Sequence, residues 1–362
     1  MDNVTDSPQC MEFLKEICET AGPSGGEDRL GDLIEKKFRP LVDEIRRDAL
    51  GNLIMFKGCS VKNAPSLMLA AHMDEIGLMV TAIEESGFLH FTKIGGVDPR
   101  NLPAKEVLIL ANEPVPGIIG VKPPHLTSAE ERKTPLKLED LYIDVGLDRE
   151  QAEAKIRVGD TAVFRRKTYS LAGDRMAGKA MDDRSGVAAL YEAALKMQSL
   201  RSKADVYFVA TVQEEVGLRG AITSTYDIMP DVGIAVDVGF ARSPGMPEHI
   251  SAELGKGPAI AQGANIHPHM YRRLTEVARE ERIPHQREII PAGSGTDAWA
   301  MQVTQSGVPT AVVSIPLRYM HTTVEMLSGS DVQNAGALLA YFAAGMDRQF
   351  VEGFYDDTTP AQ

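Results

Sequence analysis

The chain has 362 residues, 43% of them apolar and 25% charged, with a net charge of -13. This composition suits a globular protein with room for two domains, and the acidic balance argues against nucleic acid or an anionic membrane as partner. No apolar run is long enough to span a bilayer, the polar start lacks a secretory pattern, and Cys10, Cys18 and Cys59 form no CxxC pair or disulfide framework, so a cytoplasmic setting is expected.

Residues 9–20 read as a helix, stopped by Ala21-Gly22-Pro23. Ser24, with Glu27 three residues on, is expected to open a second helix through a capping box. Its apolar stripe is Leu30, Leu33, Ile34, Phe38 and Leu41. A hairpin follows over 44–48 and 52–57. The continuous apolar run 66–71 then suits a strand buried on both faces. After Gly77 the texture changes to short runs at 78–83, 88–93, 106–110, 117–121, 141–145 and 160–164, punctuated by Gly, Pro and Asn. One helical stretch, 149–156, and a polar loop, 125–137, interrupt this all-β spacing. From about Ser170 helices alternate with buried strands: helix 183–200, strand 206–211, helix 220–226, strand 232–236, helix 269–281, strand 287–290, helix 296–303, strand 310–314 and helix 331–346. The pattern predicts an α/β domain, residues 1–75 and 168–362, with a mixed sheet flanked by helices. An all-β domain is inserted over 76–167.

Acids and histidines gather at the ends of the predicted strands. His72 and Asp74 are two apart, so their side chains lean the same way, and a carboxylate commonly fixes the second nitrogen of a ligating imidazole. Asp182 and Asp183 precede a helix. Asp183 can cap it, which leaves Asp182 free to coordinate. Glu214 and Glu215 follow an apolar strand, where both can face the cleft outside the sheet. Asp237 is expected to end its strand, and His321 lies in a loop beyond the last one. Each of these has an ordinary reading alone: a capping acid, a charged surface pair, a loop histidine. Together, two imidazoles and three carboxylates suit zinc, cobalt or manganese and exceed what one catalytic zinc needs. They fit two cations if Asp182 bridges, giving each one His, one terminal acid and the shared Asp. Such a pair activates a bridging water and polarises a carbonyl. One acid of Glu214-Glu215 is then a ligand and the other a general base; spacing alone permits either order.

The ordered motifs AHMDEIG (71–77), GVKPPHL (120–126), KAMDDRSG (179–186), QEEVGLRGA (213–221), DVG (237–239), GSGTDA (293–298) and MHTTVEM (320–326) span nearly the whole chain. In them the chain resembles the M42 family of metallo-aminopeptidases, the glutamyl-aminopeptidase and tetrahedral-aminopeptidase group. The resemblance implies a phosphorylase/hydrolase-like catalytic domain with a PDZ-like insert. It implies His72, Asp182 and Asp237 on one metal and Asp182, Glu215 and His321 on the other, with Glu214 as base and Asp74 as partner of His72. It further implies a cis peptide between Asp182 and Asp183, two zinc or cobalt ions, peptide substrates, and dimers assembling to a dodecamer through the insert. Gly295, Thr296 and Asp297 lie in the segment the family places near substrate. That segment departs from the family's glycine-rich form and is followed by Trp299, which either alters a subsite or packs the helix that starts there; packing is expected. His125 carries no assigned role.

Rival readings keep the metals but change the substrate, as in a deacylase or dipeptidase, or replace the chemistry. An endoglucanase would need two carboxylates flanking the sugar about 5–9.5 Å apart. Adjacent acids from one strand end, and imidazoles without a role, do not suit that. A non-catalytic assembly protein would have no use for the complete ligand set with Glu214.

Overall fold

The computed structural model describes residues 7–128 and 133–355. Helices α1 (Pro8–Glu19) and α2 (Asp28–Phe38) lead into the hairpin β1 (Glu44–Arg47) and β2 (Leu53–Lys57), then β3 (Ser66–His72). The chain next forms β4 (Gly77–Ile83), β5 (Leu89–Ile94), β6 (Glu106–Ile109), β7 (Val115–Val121), β8 (Leu141–Asp144), α3 (Arg149–Lys155) and β9 (Thr161–Phe164). These strands close into a barrel in the order β4-β5-β8-β7-β6-β9. Along β7, Val115, Gly117 and Ile119 are buried while Pro116 and Ile118 face out, the alternation of a strand with one wet face. The barrel has its own core, including Leu78, Leu89, Val107 and Ile143, and closure removes the strand edges. Of the polar loop, residues 129–132 lie outside the described residues; the 3-10 turns Pro124–Leu126 and Leu138–Asp140 flank it.

The return brings β10 (Tyr169–Ser170), β11 (Arg175–Gly178), α4 (Met181–Lys196), β12 (Asp205–Thr211), α5 (Arg219–Ile228), β13 (Val232–Phe240), β14 (Ala259–Gly263), α6 (Pro268–Glu280), β15 (Gln286–Ile290), α7 (Asp297–Gln302), β16 (Thr310–Leu317), β17 (Glu325–Ser328), α8 (Gly329–Gly345) and α9 (Arg348–Glu352). Eight strands make a mixed sheet in the order β1-β2-β12-β3-β13-β16-β14-β15, and β10-β11-β17 form a small second sheet. The centre, β12-β3-β13-β16, is parallel. β3 shows why its run is unbroken: Leu67, Leu69 and Ala71 pack into the core shared with α1, α4 and α8, and Met68 and Ala70 into the core shared with α7.

Three expectations are corrected. β13 runs on to Phe240, so Asp237 sits inside a strand and does not end it. The strand β14 went unread because only five residues separate turn-rich flanks. Ser24 and Glu27 form no capping box, and α2 starts without a side-chain cap; both side chains are drawn to the site instead.

Behind the sheet ends lies a buried ion cluster. Glu75 accepts from Lys179 Nζ at 2.7 and 2.6 Å, from Arg184 Nη2 at 3.0 Å and from the Gly22 N–H at 3.2 Å. Arg184, fully buried, also donates to the carbonyls of Ile17, Thr20 and Met73. One acid thus ties the end of α1, the end of β3 and the start of α4. Removing one partner of a buried pair strands the others. Glu75→Ala is expected to lower the unfolding free energy by about 3–5 kcal/mol, measured by urea denaturation.

Candidate metal centre

The site stands at the carboxyl ends of the parallel strands, the usual ligand position of an open α/β sheet. His72 ends β3 in register with Thr211, which ends β12. Glu214 and Glu215 follow in a tight turn whose Gly217 and Leu218 N–H groups bond back to the Glu214 carbonyl. Asp182 opens α4 with non-helical dihedrals, joined to Asp183 by a cis peptide. His321 lies beyond β16 with φ 59°, and Gln213 before the glutamates with φ 56°. Left-handed backbone at such non-glycine residues persists only where surroundings over-determine it, and it clusters at functional sites.

Asp182 stands between two imidazoles. Its Oδ1 is 3.1 Å from His72 Nε2 and its Oδ2 is 3.3 Å from His321 Nε2. His321 Nε2 is also 3.4 Å from Glu215 Oε1. The donor atoms of His72, Asp182 and Glu215 all lie within 4.8 Å of one another, as do those of His72, Asp183 and Asp237. Asp183 therefore joins the group, beyond the capping reading given to it, although it caps α4 as well: its Oδ1 accepts from the Gly186 N–H at 3.1 Å. Glu214 belongs to neither group, and its Oε2 is 4.0 Å from His72 Nε2.

A ring of supports holds these side chains. Buried Asp74 accepts from the backbone N–H groups of Glu214 at 3.0 Å and Glu215 at 3.3 Å and from Ser24 Oγ at 2.6 Å, and its Oδ1 is 3.5 Å from His72 Nδ1. Glu27 accepts from the Gln213 N–H at 3.2 Å. Glu325 accepts from the His321 N–H at 2.8 Å and the Asp182 N–H at 3.2 Å. His321 Nδ1 lies 3.0 Å from the carbonyl of Gly96, on the loop after β5 of the barrel. Of these, Asp74 was legible as a partner of His72, but its grip on the Glu214-Glu215 backbone was not. Glu325, four residues after His321, offered a faint local signal. Ser24, Glu27 and Gly96 are distant in sequence and gave none.

The electrostatics follow from burial. Desolvation pushes Glu214 up to about 9; His72 opposes this, while Asp237, Asp297 and Glu215 add to it. Asp183 and Asp237 are raised well above the carboxylate range, again mainly by burial. Asp182 goes the other way: burial would raise it, but His321 and His72 outweigh that and lower it. His321, bonded to Asp182 and Glu215, rises to about 11. No Lys or Arg lines the pocket among the described residues. Asp183 Oδ2 is buried without a hydrogen-bond partner. A group of desolvated acids with an orphaned carboxylate oxygen and two imidazoles is matched by cations, and by the donor set of zinc, cobalt or manganese.

The pocket over these residues has a volume of about 830 Å³. Gly295 and Thr296 line it. Asp297 sits behind, buried at the start of α7, where Thr211 Oγ1 donates to its Oδ2 at 2.5 Å; burial raises it to about 6. The packing role expected of Trp299 is overturned. Its ring is 52% exposed and forms part of the pocket wall, because α7 presents that face to the cleft. His125 is exposed on the barrel and does not line this pocket.

Paired cation positions at the strand ends, with an acid held apart from the ligands, define a metal-dependent hydrolase. The family model described as M42 glutamyl aminopeptidase matches residues 51–338. A lysyl aminopeptidase of Pyrococcus furiosus is 42% identical over 330 residues, covering 89% of this chain and 93% of that protein. An aminopeptidase structure from the archaeon Desulfurococcus kamchatkensis superposes with a TM-score of 0.90 at 37% identity, covering 97% of this chain and 99% of its own. The TET1 peptidase of Pyrococcus horikoshii, described as assembling into a tetrahedron or a large octahedral shell, superposes with a TM-score of 0.82 at 33% identity over 93% of this chain and 100% of its own. The chain belongs to the M42 peptidase family, and its activity is that of a metal-dependent peptidase.

A Cβ at Gly96 would stand 2.4 Å from His321 Nδ1. Gly96→Ala is therefore expected to push His321, a candidate ligand, away from Asp182 and Glu215 and to weaken metal binding by about 10–100-fold, as loss of a ligand's outer support does. Metal titration against a competing chelator measures this.

Proposed function

We propose that the protein is a dinuclear aminopeptidase that removes the N-terminal residue from peptides. The observation that carries this reading is Asp182 with one oxygen turned to each imidazole. In this reading His72, Asp182 and Asp237 hold one cation and Asp182, Glu215 and His321 the other, with Asp183 packed beside the first. Bound zinc or cobalt would supply Lewis acidity, lower the pKa of a water at the site and favour the ionised form of Glu214. Glu214 then takes a proton from the attacking water at Oε2 and returns it to the leaving amine. Its burial suits it to hold the proton between those events. Asp74 fixes both His72 and the Glu214-Glu215 turn, so that base and ligand move as one unit. Gly295 and Thr296 border the substrate, and Asp297 braces that segment through Thr211.

The organisation we propose is a catalytic domain of phosphorylase/hydrolase type over 1–75 and 168–362, with a PDZ-like insertion over 76–167 that also serves self-association. The named assembly of the Pyrococcus horikoshii relative supports dimers built into a closed shell. Such a shell would admit peptides and exclude folded proteins. Among the described residues no helix is long and apolar enough to cross a membrane, which is compatible with a cytoplasmic enzyme.

Hydrolysis of aminoacyl p-nitroanilides is expected to fall to background with a chelator and to return with zinc or cobalt. Turnover of N-acyl amino acids in their place would favour a deacylase, and chelator-insensitive cleavage of cellulose would point to a glycosidase. Glu214→Gln is expected to keep its metals and lose about 10²–10⁴-fold in kcat; metal analysis beside the rate makes the distinction. Asp182→Ala is expected to lose metal at both positions, read as metal content per chain.

A further inference from the structure

The same pocket extends past the metal ligands. Its walls there are apolar, formed by Leu218, Ile222, Phe240, Trp299, Val303 and Met320. Apart from the residues assigned above to the metals and the base, Glu288 of β15 is the charged side chain that lines it. Glu288 is held in place: Ser314 Oγ donates to its Oε2 at 2.6 Å. It makes no ion pair among the described residues. Its Oε1 is turned toward Gly239, where a Cβ would stand only 3.1 Å away.

These contacts locate Glu288 relative to the metal centre. Ser314 on β16 is paired in register with Asp237 on β13. Gly239 lies two residues beyond Asp237 on that strand and so shares its face, about 6–7 Å along. The Glu288 carboxylate is therefore one strand step from a metal ligand, across an apolar passage that glycine keeps open. A side chain long enough to cross that passage arrives at an acid whose Oε2 is held by Ser314 and which has no cationic partner among the described residues.

We propose that Glu288 determines specificity, making this the pocket for the side chain of the substrate's N-terminal residue and selecting lysine and arginine. The inference rests on the aminopeptidase reading above. The apolar walls cover the methylene stem, and the cationic tip meets Glu288. A leucine side chain fills the passage but leaves the half-buried carboxylate without a cation. A glutamate side chain brings like charges together.

The test uses the metal-loaded enzyme and the p-nitroanilides of lysine, arginine, leucine and glutamate. Lysine and arginine substrates are expected to have the highest kcat/KM and glutamate the lowest. Glu288→Gln, nearly isosteric, is expected to lower the lysine-to-leucine ratio of kcat/KM by about 10–100-fold, the worth of a hydrogen bond to a charged group. Gly239→Val is expected to obstruct the passage and raise KM for the lysine substrate. In the unaltered enzyme, free lysine should inhibit about tenfold or more better than norleucine, which has a similar stem and no charge. Preference for leucine or glutamate overturns the proposal. So does a Glu288→Gln variant that loses activity equally on all four substrates, which would place Glu288 at a group common to them. Cleavage of none of the four, with metal content normal, would refute the aminopeptidase reading itself and leave no pocket to assign.

Discussion

Negative charge taken out of water is the constraint around which this molecule is built. The carboxylates of Asp182, Asp183, Glu214, Glu215 and Asp237 converge where four parallel strands end, and none has a lysine or arginine partner within the pocket. Left to themselves, Asp183, Glu214 and Asp237 are pushed toward the protonated form by burial and by their neighbours, while the two imidazoles hold Asp182 ionised. The segments that carry these acids are held in place by further buried acids: Asp74, Glu27 and Glu325 each accept from main-chain N–H groups, those of Glu214 and Glu215, of Gln213 and of His321 respectively. The acids that do find cationic partners are outside that pocket, as Glu75 does with Lys179 and Arg184. Charges of the two kinds are kept apart, so that the permanent cations of the protein do not compete for the positions of the divalent ones.

The supports are also shared. Asp74 touches both His72 and the Glu214-Glu215 turn, and Glu325 touches both His321 and Asp182. Candidate ligands from different segments are thus coupled through one buried acid each. Loss of such an acid would disturb two of them at once, which makes these positions more consequential than their place behind the site suggests.

Much of the site was legible because strand ends announce themselves. An apolar run followed by His or an acid points to the rim of a sheet, and His72 and the Glu214-Glu215 pair could be gathered on that basis; for Asp182 at a helix start, Asp237 inside its strand and His321 in a loop, the complete donor set was the legible signal. The order of Glu214 and Glu215 was not, since a turn can aim either side chain inward; motif resemblance supplied it. Asp183 read as a cap because a helix start explains an acid fully, and nothing local signals that the same side chain also faces a neighbouring strand. The spacing of Ser24 and Glu27 fits a capping box for a related reason, but Ser24 donates to distant Asp74, and Glu27 accepts from the Gly25 N–H and from the distant Gln213 N–H. Trp299 was misjudged because burial is the default for a large ring, and only the orientation of α7 decides otherwise. The barrel strands were readable from their turns, yet the contact of Gly96 with His321 spans 225 positions and has no local trace.

That last contact has a consequence for modularity. The barrel folds around its own core, and its strands close on themselves, so it has the look of a detachable unit. It nevertheless lends a backbone carbonyl to His321, a candidate ligand beside the catalytic sheet. A chain spliced directly from β3 to β10 would keep every candidate ligand in its sequence and still lack the atom that fixes the orientation of His321. The insertion and its host are chemically one site, and a chain without the barrel would need another group to hold that imidazole.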